Sequence, residues 1–281
     1  QVPTSNDNVF FDQNSFSLSN QTVLTDETIE YCNSMDWSGV LNTPTFRISN
    51  ELYIYGSLTF SPNMTSYASK GIYFKSDTIG NTITSAGVPL YHDVVFDGIG
   101  GEWTLKDSLR ANNYGANTDI TIKNGILKSG GHAISAQKII TSGNGTTDLT
   151  GSNVYIRHWN TYLSSKIDLT NTTVYLTSSA NYDGSFISNG ATHNIIVSSE
   201  RQMNLTFFSS VNKLTVAGNG ACLLKDYDSS IDSVIVEPGS TLIIGSGKTL
   251  TVNKYLSSNG DCSNLSNIKS SANSSTAYIV S

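Results

Sequence analysis

Residues 91–109 read YHDVVFDGIGGEWTLKDSL. Val94 and Phe96 alternate with Val95 and Asp97, which gives a strand with one apolar face and one mixed face. Asp97-Gly98 opens a corner, and Gly100-Gly101 extends it with residues that reach positive φ at little cost. Trp103 and Leu105 then resume the alternation against Glu102, Thr104 and Lys106. No helix fits between the two runs, so the stretch reads as strand, corner, strand.

Working outward, the same pattern returns along the chain: LYIYG, GIYFK, DVVFD, DITIK, QKIIT, NVYIR, TVYLT, NIIVS, KLTVA, SVIVE and TLTVN. From Tyr73 onward the central residues fall at 73, 95, 121, 139, 155, 175, 196, 215, 235 and 251, a mean step of about 20 residues. Repeats of this period mean a solenoid, in which each unit buries its apolar face only against its neighbours. The steps are uneven and carry no leucine ladder, which favours a right-handed parallel β-helix of about ten coils over a leucine-rich repeat. An antiparallel sandwich is the structural alternative. Asn-Gly at 124, 144, 189, 219 and 259 marks corners.

Residues 1–50 read as an irregular N-terminal cap with the first turns, and residues 51–281 as the β-helix proper. A stack of parallel strands needs its end covered. At the other end Tyr278–Val280 starts a fresh strand with no polar cover, which leads us to expect a piece of a longer protein.

Composition narrows the function classes. The 281-residue chain is long enough for a sizeable core, with only 14% charged and 10% aromatic residues, and its net charge of −6 comes with no Lys/Arg cluster. That balance argues against nucleic acid as a partner. No apolar run approaches the roughly 18 residues of a membrane-spanning helix, so membrane insertion is not expected. Abundant Asn, Thr, Ser and Gly suit an extracellular β protein. Three cysteines (Cys32, Cys222, Cys262) form neither a disulfide framework nor a metal motif. Buried free thiols are the simpler reading, a Cys222–Cys262 bond the alternative.

Several segments, NDNVFFDQNSF (6–16), YCNSMDWSG (31–39), LYIYGSLTF (52–60), IYFKS (72–76), VVFDGIGGEWTLKDSL (94–109), ITIKNGIL (120–127) and NGDCSNLSNIKSS (259–271), together resemble large surface proteins of Bacteroidota exported by the type IX secretion system. Many of these are gliding-motility or other surface adhesins. The resemblance implies a secreted, outer-surface β-helical region followed by further domains of the same parent protein. It supplies no catalytic residues.

Many β-helices cleave polysaccharides, which takes a carboxylate pair. Asn117-Thr118-Asp119 and Gly131-His132 are fragments of a polygalacturonase-like pattern, but its Asp-Asp and Arg-x-Lys elements are absent. Asp97 and Glu102 are the neatest pair, read as solvated corner residues. Asp7, Asp12 and Asp26 are the candidate ligands for a structural calcium ion, and no other cofactor is expected. Tyr53 with Tyr55, and Tyr155 with Tyr175 twenty residues on, would form outward aromatic faces able to stack on sugars. Of the tryptophans, Trp37 and Trp103 read as core, and Trp159 as the one most exposed and available to a ligand. Asp-Ser/Thr-apolar triplets resemble the O-glycosylation signal of Bacteroidota and mark Thr78, Ser108 and Ser233. The leading expectation is a non-catalytic adhesin region for extension, display and attachment. A carbohydrate-binding module facing surface polysaccharide or glycan comes second, and a polysaccharide lyase or hydrolase third.

Overall fold

The computed structural model describes residues 2–111, 118–161, 166–177, 184–188, 193–207 and 211–281. These residues are all-β with no helix, and their parallel strands stack as a β-solenoid of about ten turns. Among the described residues no helix is therefore long and apolar enough to cross a membrane. The chain divides into two units, Gln1–Ser152 with Ser164–Lys166, and Asn153–Leu163 with Ile167–Ser281.

The opening stretch sets the pattern of the first unit. Val94–Leu105 is one long strand that turns a corner in its middle. Its first arm pairs Val94, Val95 and Phe96 with Ile72, Tyr73 and Phe74 on one side and with Ile120, Thr121 and Ile122 on the other. Its second arm pairs Trp103 with Asn81 and with Leu127, and the register breaks between Phe96 and Glu102. The corner needs its glycines: a β-carbon on Gly98 or Gly101 would collide with the Ser76 carbonyl of the preceding turn. A third face, Leu109–Ala111, pairs with Ile134–Ala136. Alternation then sends Val94, Phe96, Trp103, Leu105, Leu109 and Ala111 inward, where all six are buried.

Parallel pairing already begins within residues 1–50. Val9–Phe10 lies beside Met35–Asp36, Thr22–Leu24 beside Thr45–Ile48, and Ile29–Cys32 beside Glu51–Ile54. Phe11, Phe16, Trp37 and Phe46 pack together here, with the Phe11 and Trp37 ring centroids 3.8 Å apart.

In the second unit, Asn153–Ile156, Thr173–Leu176, Asn194–Ser198, Val211–Ala217, Ser229–Val236, Thr249–Ser258 and Tyr278–Val280 form one parallel ladder. A second ladder runs from His158–Thr161 through Gly184–Ser188, Met203–Phe207, Ala221–Leu224 and Thr241–Ile244 to Asn267–Ser270.

The registers correct two of the steps read from spacing. Ile139 stands beside Ile120, whereas Tyr155 stands beside Tyr175 in another sheet, so the step of 16 between them is not a turn. Ile235 pairs with Ser257, while Thr251 pairs with Ser230. Each turn carries more than one strand, and spacing alone cannot tell two strands of one turn from the same strand of two turns.

Candidate functional site

A cluster of aromatic and charged side chains lies on the outer face of the first unit. Strand register puts Tyr31 beside Tyr53 and Tyr53 beside Tyr73. Because alternate residues share a face, Glu51, Tyr53 and Tyr55 point the same way from one turn, and Tyr73 and Lys75 from the next. The Tyr31 and Tyr53 centroids are 5.7 Å apart at 79°, and Tyr53 and Tyr73 are 5.0 Å apart at 49°. Both hydroxyls of the second pair converge on Glu51: Tyr53 donates to Oε2 at 3.1 Å and Tyr73 to Oε1 at 3.2 Å. Burial, then the hydrogen bond to Glu51, pushes the Tyr53 phenol up to about 12, and burial with the Glu51 charge raises Tyr73. Both therefore remain proton donors to a fixed carboxylate at neutral pH.

A second chain of contacts leaves the same face. Lys75 Nζ sits 5.5 Å from the centre of the Tyr53 ring and 2.7 Å from Asp97 Oδ2. The Asn124 carboxamide donates to the other oxygen, Asp97 Oδ1, at 2.7 Å. Burial by itself would raise the Asp97 carboxyl, but hydrogen bonds from Lys75 and Asn124 and the lysine charge outweigh it and hold the group below the usual carboxylate range. Glu102, at the far side of the glycine corner, pairs instead with Lys128 at 2.6 Å. Asp97 and Glu102 are thus not the solvated corner pair expected from sequence. The neighbouring turns present a lysine to each.

The remaining candidates fall elsewhere. Tyr155 and Tyr175 do stack on an outer face of the second unit, with centroids 4.6 Å apart and rings within 13° of parallel. In that geometry each ring turns one face to the other, and the row continues as Ile196, Thr215 and Ile235. Trp159 corrects the sequence reading: it is fully buried. A new strand starts at His158, after Arg157, so the alternation restarts and sends Trp159 inward. It cannot stack on a ligand from that position.

The proposed calcium ligands also separate. Asp7 accepts the Thr4 N–H at 2.9 Å and its hydroxyl at 2.6 Å, and those bonds lower its carboxyl from the usual value. Asp12 accepts the Asn14 N–H at 2.9 Å and the Ser15 hydroxyl at 3.0 Å, with the same effect. Asp26 gives its N–H to Glu30 Oε1 at 2.9 Å. Asp7 and Asp12 close local turns, and among the described residues no group of three or more His, Cys, Asp or Glu is placed to hold a metal ion. Short-range hydrogen bonds win because each partner lies within four residues.

Asn117 lies outside the described residues. Thr118 is buried, with its hydroxyl on the Ala111 carbonyl. Burial, and then the nearby Asp93 charge, raises the Asp119 carboxyl. Cys32 and Cys222 are buried free thiols, and burial pushes Cys32 up to about 12 and raises Cys222 as well. Cys262 is free and exposed, so the Cys222–Cys262 bond is not formed and only two of the three thiols are buried. Thr78 and Ser108 are exposed at corners, whereas Ser233 lies half-buried within Ser229–Val236.

Glu51, Tyr31, Tyr73, Lys75 and Asn124 escaped notice as a group in the sequence. The signal was present as Tyr at 31, 53 and 73, steps of 22 and 20 residues, but it becomes visible only when turns are aligned by register. No known protein family, no curated protein and no solved structure matches this chain.

Proposed function

We propose that this chain is a non-catalytic β-solenoid region of a secreted bacterial surface protein, akin to the type IX-exported adhesins of Bacteroidota, serving extension, display and attachment on the outer cell surface. One observation carries the reading: the chemically capable side chains of the outer face engage the neighbouring turns. Glu51 holds two tyrosine hydroxyls, Lys75 and Asn124 hold Asp97, and Lys128 holds Glu102. A polysaccharide-cleaving site instead keeps its two carboxylates facing a substrate. Such contacts stiffen a stack of turns, which is what a display element requires. The type IX and Bacteroidota part of the proposal rests on the sequence motifs quoted above.

Deleting this region from the parent protein in its bacterial host is expected to reduce attachment of cells to surfaces while the rest of the protein still reaches the outside. Unchanged attachment overturns the reading, as does turnover of acidic polysaccharides by the purified chain with calcium. Glycan on Thr78 or Ser108 in host-purified protein would fit the same assignment, and intact mass reads it directly.

A second reading, contact with surface carbohydrate, is favoured by the exposure that remains on the two tyrosine rows: Tyr31 is 37% and Tyr155 41% exposed. Glycan-array binding that disappears in both Tyr31→Ala and Tyr155→Ala supports it. An empty array, or hits indifferent to both changes, removes it.

A further inference from the structure

Lys75, Asp97 and Asn124 occupy three successive turns of the first unit, and the middle residue touches both of the others. Phe74 pairs with Phe96, which sets Lys75 beside Asp97, and Asp97 itself pairs with Asn124. The lysine amine lies 2.7 Å from Oδ2, and the asparagine carboxamide nitrogen 2.7 Å from Oδ1. One carboxylate therefore gathers an amine and a primary carboxamide that start two turns apart. The site is partly withdrawn from water: the Lys75 and Asp97 side chains are 24% and 22% exposed. The Tyr53 ring lies against the amine, and the buried Phe74, Phe96 and Trp103 lie on the inner side of the same strands.

We propose that Lys75 and Asn124 join in an intramolecular isopeptide bond, with Asp97 carrying the proton between them. The uncharged Lys75 Nζ attacks Asn124 Cγ, and Asp97 Oδ2 takes the proton that Nζ sheds as the new C–N bond forms. Asp97 then passes that proton to Asn124 Nδ2, the atom already bonded to it, and the old Cγ–Nδ2 bond breaks. An uncharged amine and a carboxamide enter; a secondary amide and ammonia leave. Asp97 returns to its starting state, and no oxidant, cofactor or metal takes part. Asp97 is a catalytic residue in the strict sense, since it contacts both reacting groups. Asp97 already stands within hydrogen-bond distance of both reacting groups, the placement a proton carrier needs. The attacking group must be the free amine, so the reaction accelerates as pH rises.

The product ties the turn of Lys75 to that of Asn124 across the intervening one. It spans the longest step in the first unit's register, from Val95 to Thr121. A cross-link there restricts the unfolded chain over the segment where the turn lengths are least regular.

Intact-mass analysis and peptide mapping of the 281-residue protein, held at alkaline pH, test the proposal. The expected result is a mass deficit of one ammonia and a branched peptide joining the segments around Lys75 and Asn124. Lys75→Arg keeps the cation beside Asp97 but removes the primary amine, and is expected to abolish the branched peptide; Asp97→Asn is expected to slow its appearance. Asn124 precedes Gly125, so attack by the Gly125 nitrogen on the same carbon would also release ammonia and leave a succinimide. A deficit without the branched peptide, whether it comes from that ring, from another Asn-Gly step or from cyclisation of Gln1, overturns the cross-link. An unchanged mass, meaning a hydrogen-bonded network only, overturns it as well.

Discussion

Inside the first unit large rings, Trp37, Phe46, Phe60, Phe74, Phe96 and Trp103, are buried among aliphatic residues; inside the second, Trp159 and Phe207 are buried too, but one whole ladder is aliphatic, with Val174, Leu176, Ile195, Val197, Leu214, Val216, Val234 and Val236 inward. The turn lengths differ in parallel. In the first unit the register runs Tyr31, Tyr53, Tyr73, Val95, Thr121 and Ile140, whereas in the second it runs Tyr155, Tyr175, Ile196, Thr215, Ile235 and Ser257. The second series steps almost evenly; the first includes one turn of 26 residues. Large rings such as Phe74 and Phe96, stacked at 5.0 Å and 11°, fill an interior whose outline changes from turn to turn. Short aliphatic side chains fill a constant outline, and they pack well only if register is kept. The outer faces differ in degree: two ion pairs and the phenol–carboxylate bonds fasten the irregular turns, while the regular ones carry a row of Tyr, Ile and Thr and, among the described residues, the ion pair of Lys254 with Asp232.

The comparison can be broken at its strongest point by Trp103→Ala, which empties the largest inward position beside the glycine corner. We expect a loss of about 4 kcal/mol, seen as faster amide exchange confined to the first unit. Leu214→Ala, the matching change in the second unit, is expected to cost about 3 kcal/mol with the exchange pattern reversed. If both substitutions loosen both units alike, the two do not hold their cores independently.

Smaller effects sharpen the contrast between outer faces. Tyr53→Phe removes one of two phenols from Glu51 and is expected to lower stability by about 1 kcal/mol in urea unfolding. Tyr155→Ala removes a stacked pair with no hydrogen bond at stake, and is likewise expected to cost about 1 kcal/mol. The double change Tyr53→Phe with Tyr73→Phe is expected to depart from additivity, because both phenols share Glu51, whereas Tyr53→Phe with Tyr155→Ala is expected to add.

The smallest expected effect concerns acid. Asp97 titrates lower in the folded chain than in the unfolded one, so its contribution is fully present above the unfolded value, about pH 4, and is lost as pH falls below it toward the folded value. Asp119 is raised by burial and by Asp93, so it works in the opposite sense: it disfavours folding at neutral pH, and protonation on acidification relieves that cost. Urea midpoints followed from pH 7 to about pH 3 should therefore fall less steeply in Asp97→Asn than in the parent. Asp119→Asn should be no less stable than the parent at pH 7. A less stable Asp119→Asn would mean that its charge has a favourable partner.

Much of the fold was legible because alternation and corner residues are local. VVFDGIGGEWTL announces a bent strand through Val94, Phe96, Trp103 and Leu105, and the glycines announce the close approach to Ser76. Trp159 was misread for an equally local reason. Its side depends on where the strand restarts after Arg157, a difference of one residue that reverses the face. The candidate site is less legible: Tyr53, Tyr55, Asp97 and Glu102 stand out in the sequence and Asn124 only as a corner, whereas nothing there marks Glu51 or Lys75.

Sequence alone determined that this chain is a solenoid of short parallel strands with aromatic and aliphatic interiors, since the period of two within strands and of about 20 between them is written residue by residue. Tertiary structure alone decided which side chains meet. Lys75 lies 22 residues before Asp97, and Asp97 lies 27 before Asn124. Those intervals become neighbours only because corner conformations set the length of each turn, and corner lengths follow no fixed rule in the sequence.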